Sequence, residues 1–399
     1  MLHEDCTAKL LDMEPMVLQK IENSANQIIL HVEMRRRVSE CPACRALTDQ
    51  IHDYRICTVC DSPIHDKAVI WKYRKRRYRC PCCGKQFYEK NCFLPKWHRM
   101  TNRLALLGMN RLALKQSRKE VACTLHVSPS TVGRWLQLID FGKPKSLPSV
   151  LSIDEFRGNT EYGKFQCILT APKERRVLDI LPTYRESDLY QYLRTFPDRR
   201  QVQYFVSDMR KEYISLARHL FHDASIVIDR FHVARYCTWA FENVRKRVQA
   251  KLSADQRKYF KRSRTLLLAK MHHLSAESKA AVERMLLFDR DLREAYLLKE
   301  CFYQFMASQS SAEAKQRLHE FRLHAGVADI PEFTACLTML RNWEPYILNA
   351  FDCPYTNGFT EGCNNTIKVL KRIAFGYRNF QNFRTRILLT FHAKEAPAS

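Results

Sequence analysis

No stretch of the sequence approaches the ~20 uninterrupted apolar residues that a bilayer-spanning helix needs, so no membrane span is expected. The opening Met1-Leu2-His3-Glu4-Asp5 has no basic segment running into an apolar one, so no secretory leader is expected. Internal repeats and low-complexity tracts are also missing. Acidic residues are in short supply. There are 42 Asp plus Glu against 66 Lys plus Arg, a formal net charge of +24. Such a surplus attracts polyanions, and with membranes set aside the expected partner is nucleic acid.

What is present fits a multidomain intracellular protein. The chain has 399 residues, too long for one ordinary domain, and 46% of them are hydrophobic, enough for real cores. In a reducing compartment the 16 cysteines are not expected to form disulfides. Eight of them fall between Cys41 and Cys92; the rest are scattered singly and read as small buried hydrophobes.

The N-terminal forty residues read as a short helix and a hairpin around Ser24-Ala25-Asn26. Cys41-Pro42-Ala43-Cys44 and Cys80-Pro81-Cys82-Cys83 follow, two C-x-x-C knuckles that can each give two thiolates to one tetrahedral ion. Two such pairs with strands between them describe a zinc ribbon, with Cys41, Cys44, Cys80 and Cys83 the favoured ligands. Cys57-Thr58-Val59-Cys60 reads as a third knuckle, and with Cys82 it leaves the ligand set open. Between the knuckles, Lys67–Arg79 holds seven Lys or Arg and no acid. Arg74, Lys75, Arg76 and Arg77 are expected to meet phosphates there; the alternative is a charged edge strand guarded against aggregation.

Residues 117–136 fit a helix-turn-helix. Ser117 caps a first helix with Glu120 completing a capping box, and Ser128 caps a second that begins at Pro129. Val132 and Leu136 are expected in the core, and Ser130, Thr131 and Arg134 in a major groove. A linker follows at 142–149.

Beyond it the strand-like runs are 150–154, 165–170, 177–181, 202–208 and 225–229. Helices are expected at 186–196 and 211–221. Three strands, a helix, a strand, a helix and a strand make an α/β sheet of the ribonuclease-H-like kind. Nearly everything from about 233 to 350 is helical. Asp154 and Asp208 are expected at the ends of the first and fourth strands, neighbours at the centre of such a sheet. Glu361 lies on a later helix, with Asn365, Lys368 and Arg372 on its face at three- and four-residue steps and Lys371 close by. Three acids so placed suit two divalent ions clamping the attacking and leaving oxygens of a phosphodiester. Mg²⁺, or Mn²⁺, suits hard oxygen ligands. Asp229 competes with Asp208. Glu155 is expected to point away from Asp154 by strand alternation.

Ser152-Ile153-Asp154-Glu155-Phe156, Val206-Ser207-Asp208, Asp229-Arg230-Phe231-His232 and Thr360-Glu361-Gly362-Cys363-Asn364-Asn365 together resemble the bacterial insertion-sequence transposases of the ISL-three family. The resemblance runs from roughly residue 8 to residue 392. It implies a DDE catalytic domain with a helical insertion, and gives Asp229 and His232 a role in ordering the site or the DNA ends. It further implies end binding, strand cleavage and strand transfer on double-stranded DNA, in a homodimer or larger oligomer in the cytoplasm near the nucleoid. The expected division is a zinc ribbon over 1–100, a helix-turn-helix over 101–141 and a catalytic domain over 149–393. Two rivals are a DNA-binding regulator without chemistry and a structure-selective nuclease on the same fold.

Overall fold

The computed structural model describes residues 16–95 and 98–392. The short helix expected before the first hairpin lies outside the described residues. Two compact units form, residues 1–141 with 370–399, and residues 142–369.

The first unit begins with β1 (Met16–Asn23), β2 (Gln27–Met34), β3 (Ser39–Glu40), β4 (Leu47–Thr48), β5 (Ile51–Ile64), β6 (Lys67–Arg79) and β7 (Gln86–Tyr88). The main sheet has the order β1-β2-β6-β5, with β7 also on β6. The basic strand β6 is thus interior to the sheet rather than an edge. Val69, Trp71 and Tyr73 alternate inward along it, and then the buried positions shift to Arg76 and Tyr78. That shift carries Arg76 inside, only 4% exposed.

Next come α1 (Asn102–Ala113), α2 (Arg118–Thr124) and α3 (Pro129–Gln137). The expected caps are present: Ser117 and Glu120 form the capping box, and Ser128 accepts from the N–H of Thr131. Val132 and Leu136 are buried, as expected, together with Trp135. Trp135 lies against Gly108 of α1, where any Cβ would clash with the indole ring. Asp61 of β5 is buried and accepts from Thr101 Oγ1 at 2.7 Å and Arg103 Nε at 2.8 Å, which ties the sheet to these helices. The last helix, Phe380–His392, packs on α1 and α3, and its buried Arg386 donates to the carbonyl of Gln116 at 2.6 Å.

The second unit holds β8 (Val150–Thr160), β9 (Gly163–Ala171), β10 (Arg176–Leu181), α4 (Glu186–Leu193), β11 (Tyr204–Ser207), α5 (Lys211–Leu220) and β12 (Ser225–Ile228). Strand order is β10-β9-β8-β11-β12. The first three strands are antiparallel, while β8, β11 and β12 run parallel. From Arg230 to Asp352 every element is helical: α6 (Arg230–Lys251), α7 (Ala254–Arg257), α8 (Ser263–Leu268), α9 (Ala276–Leu286), α10 (Arg290–Met306), α11 (Ser311–Ala328) and α12 (Thr334–Asp352), with short 3-10 turns between. The core of the sheet runs on into these helices through residues such as Phe241, Tyr296, Phe302 and Phe321. Then comes α13 (Gly358–Ile373), and the last helix, α14 (Phe380–His392), belongs to the first unit.

α13 ends in a Schellman motif. Gly376 N–H bonds to the carbonyl of Lys371 at 2.9 Å, and Phe375 N–H to that of Arg372 at 3.2 Å. The left-handed position that usually holds glycine is taken by Phe375, at φ 55° and 99% exposed.

Candidate active site

Val150–Ser152 of β8 pair in parallel with Tyr204–Val206 of β11. Asp154 lies just past that pairing, and Asp208 directly follows β11. The two carboxylates therefore leave neighbouring strands at the same end. β8 itself runs on to Thr160, beyond the Asp154 where the sequence pattern ends it, because β9 keeps pairing with it as far as Gly163.

α13 is fixed to this sheet by a buried polar network. Ser152 Oγ donates to Asn357 Oδ1 at 2.6 Å and lies 3.0 Å from Thr360 Oγ1, which is itself 2.8 Å from Thr170 Oγ1. All four side chains are inaccessible to solvent. One helical turn beyond Thr360, Asn364 Nδ2 donates to Asp154 Oδ2 at 2.8 Å. Glu361, rotated from that face, meets Asp229 and His232 instead.

The acids accordingly form two groups. The ligand atoms of Asp154, Glu155 and Asp208 lie within 4.8 Å of one another, and so do those of Asp229, His232 and Glu361. Glu155 follows Asp154 on β8 and accepts from Arg210 and, at 3.0 Å, from the Tyr213 hydroxyl. Its carboxylate stays in the group, because Arg210 also lies 4.0 Å from Asp208 and draws both acids together. The expectation that Glu155 stands apart is corrected here. Alternation sets the direction of successive side chains, but a long side chain just past the parallel pairing with β11 still reaches its neighbours.

Crowded carboxylates resist ionisation. Burial, then the charge of Asp208, pushes Asp154 up to about 7. Burial, then the charge of Glu155, pushes Asp208 up to about 7. Glu361 is raised by burial and by Asp229, with His232 and Lys368 opposing. Asp208 Oδ1 and His232 Nδ1 are buried without a hydrogen-bond partner. Like charges held together, with a lone pair left over, are what a bound divalent cation offsets, so the residues fit such an ion. Asp229 Oδ1 accepts from the N–H of Phe231 at 2.8 Å and caps α6, which fixes it at the edge of the second group.

In the first unit, Cys41, Cys44, Cys80 and Cys83 form the third group among the described residues. Cys41 and Cys83 Sγ are 3.6 Å apart, and Cys44 and Cys80 Sγ are 3.5 Å apart. Corners of a tetrahedron with Zn–S bonds of ~2.3 Å lie roughly 3.8 Å apart, so the cage fits zinc. The two knuckles match each other: Arg45 and Gly84 are both left-handed, and their N–H groups bond to Cys41 and Cys80 carbonyls. Backbone N–H groups pull the Cys41 and Cys80 thiols below their ordinary value. The expected third knuckle is not one. Cys57 and Cys60 lie in extended β5, opposite Tyr73 and Ile70, and positions three apart on a strand point to opposite faces. Cys82 is exposed and outside the group.

The family model described as "Transposase", of the ISL3 DDE type, matches residues 151–387, and a model for the zinc finger of transposases IS204/IS1001/IS1096/IS1165 matches residues 37–83. The chain belongs to the ISL3 family of DDE transposases. It is 25% identical over 386 residues to the transposase for insertion sequence element IS1001 of Bordetella parapertussis, covering 93% of each chain. A 55-residue stretch is 49% identical to an ATP-dependent protease of Lactococcus lactis subsp. lactis, covering 13% of this chain and 18% of that one. This transposase therefore carries a zinc ribbon and a DDE domain of mixed α/β structure, and its family implies DNA binding and phosphoryl transfer on DNA with divalent metal. Among the described residues no helix is long and apolar enough to cross a membrane.

The residues expected to meet DNA divide by exposure. Ser130, Arg134, Asn365, Lys368 and Arg372 are exposed, and Lys371 is half-buried. Arg74 stacks on Tyr54 at 3.6 Å, Lys75 lies 4.9 Å from the Tyr88 ring, and Arg77 pairs with Asp53. Two expected DNA contacts are corrected. Arg76 is interior, paired with Glu33 and Glu89. Thr131 is 7% exposed, its hydroxyl 2.9 Å from Ser128 Oγ within the helix cap.

Asn364, Thr360 and Asn357 were missed as site residues. The polar run before Ile367 held the signal: three polar side chains at three- and four-residue steps on the face that meets β8.

Proposed function

We propose that this transposase binds the terminal inverted repeats of its element and performs metal-dependent strand cleavage and strand transfer on a ribonuclease-H-like catalytic domain with a helical insertion. The observation that supports it is the convergence of Asp154 and Asp208 from adjacent parallel strands, both pushed up to about 7, beside the group containing Glu361. Two bound divalent ions, Mg²⁺ or Mn²⁺, would clamp the attacking and leaving oxygens of the phosphodiester. Asp154, Asp208 and Glu361 would hold the ions, and the Asp154 carboxylate feels the charges of both Asp208 and Glu361. Asn364 fixes the Asp154 carboxylate, and Asp229 with His232 orders the Glu361 side and the DNA end.

Cys41, Cys44, Cys80 and Cys83 hold structural zinc. Arg74, Lys75, Arg77, Ser130 and Arg134 take up the transposon end. Asn365, Lys368, Lys371 and Arg372 hold the backbone near the acids, and the protein works as a homodimer or larger oligomer in the cytoplasm, at the nucleoid. Asp154→Asn, Asp208→Asn and Glu361→Gln should each abolish Mg²⁺-dependent cutting of an end-containing duplex while gel-shift binding persists. Retained cutting by all three would remove the acids from the site. Binding with no cutting by the wild-type chain would favour a DNA-binding regulator, and cutting of branched DNA without end sequence a structure-selective nuclease.

A further inference from the structure

α6 is two-faced. Val233, Cys237, Ala240, Phe241, Val244 and Val248 are buried in the core. The opposite strip, at steps of four, four, four and three residues, is Phe231, Arg235, Trp239, Asn243 and Lys246, all exposed. Phe231 is 62% exposed and Trp239 49%. The Arg235 guanidinium lies over the Trp239 ring, 4.3 Å from its centroid. The strip contains no acid. Large rings left in water forgo the stabilisation that burial would give them, and the core face of the helix is built from other residues. The strip also starts at the acids: Phe231 is two residues from Asp229, and its ring is 5.8 Å from that of His232.

We propose that this strip is a binding site for unpaired nucleotides of the DNA strand whose phosphodiester is brought to the acids. The inference rests on the function proposed above. In an intact duplex the base faces are covered by stacking, so exposed rings gain most from bases that have left the stack. Phe231 and Trp239 are about 12 Å apart along the helix axis at ~1.5 Å per residue. That exceeds three stacking rises of ~3.4 Å, so each ring receives its own base. Arg235 extends the Trp239 platform and supplies charge, and Lys246 continues the charge toward the backbone.

The test measures fluorescence anisotropy of the full-length protein with two probes, a labelled oligothymidylate and a blunt duplex carrying the element's end, without added divalent ion. Phe231→Ala and Trp239→Ala should each weaken oligothymidylate binding about 5- to 150-fold. Blunt-duplex affinity should be unchanged, and Trp239→Phe should retain most of the oligothymidylate affinity. Unchanged oligothymidylate affinity in the double alanine variant overturns the proposal. So does an equal loss on both probes, or a change in solution mass that marks the strip as an interface between copies. Asp208→Asn and Glu361→Gln, tested for cutting in parallel, separate the two readings. If they still cut, the assignment of the acids fails; if they do not cut and the strip variants bind oligothymidylate normally, the strip alone fails.

Discussion

Asn364 Nδ2 donates to Asp154 Oδ2 at 2.8 Å, joining positions 210 residues apart in the chain. The other Asp154 oxygen accepts from the backbone N–H of Glu155 at 2.8 Å. Both oxygens are thus oriented before any ligand arrives. Asn364→Ala should leave the carboxylate free to rotate and cut the cleavage rate about 10- to 100-fold, as losses of ligand-orienting partners do. Duplex binding should stay within a factor of two or so, since Asn364 is buried and its amide is turned to Asp154 rather than to solvent. Cleavage at the wild-type rate would show that Asp154 needs no such support.

A second expectation concerns pH. Asp154 and Asp208 rise from an ordinary 3.8 to about 7 in the folded chain. The folded state therefore keeps protons that the unfolded chain releases between about pH 4 and 7. Without divalent ion, stability should fall as pH rises through that window and level off above it. Added Mg²⁺ should stabilise most above pH 7, where both carboxylates are free to bind it. Thermal melts at pH 5 and pH 8, with and without Mg²⁺, compared with Asp208→Asn, isolate this contribution from other titrating groups. The variant should lose a few degrees of the pH dependence and most of the Mg²⁺ response. An identical pH profile in the variant refutes the assignment.

Zinc content discriminates among the thiols. Cys44→Ser should lower bound zinc from one equivalent toward none and lower the melting temperature of the ribbon, because three thiolates hold the ion far less tightly than four. Cys57→Ser, Cys60→Ser and Cys82→Ser should keep it. A colorimetric zinc assay reads the outcome, and zinc loss in the Cys57 variant would place that thiol in the cage.

Phe375 occupies a left-handed position that costs a side-chain-bearing residue roughly 1–2 kcal/mol, and with 99% exposure it recovers nothing by packing. Phe375→Gly should raise stability by about 1 kcal/mol in urea unfolding. A loss of stability would mean that the ring makes contacts which its exposure conceals.

Much of the architecture is legible in the sequence because its signals act over a few residues. Ser117 with Glu120, and Ser128 with Pro129, announce two helix starts, since a cap is satisfied within one turn. The runs 150–154, 177–181 and 225–229 mark strands because burial on both faces demands continuous apolar residues. Cys41, Cys44, Cys80 and Cys83 stand out because a tetrahedral cage fixes ligand spacing in each half. The acids of the two groups were also legible one by one.

Their grouping was not. Which acids share a site depends on strand order, on how α13 docks through Ser152, Thr170 and Thr360, and on an arginine that draws Glu155 toward Asp208. None of these relations has a local period to betray it. The same holds for Arg76 and Thr131, whose residue types say surface but whose places are set by a shift in strand alternation and by a helix cap. It also holds for Cys57 and Cys60, which have the spacing of a knuckle but are pulled straight by pairing with β6. The sequence by itself determined the elements, their caps and the zinc cage, since each is settled among near neighbours. Only the tertiary structure decided which distant side chains meet, because contacts between segments far apart in the chain are chosen by packing and pairing over the whole unit.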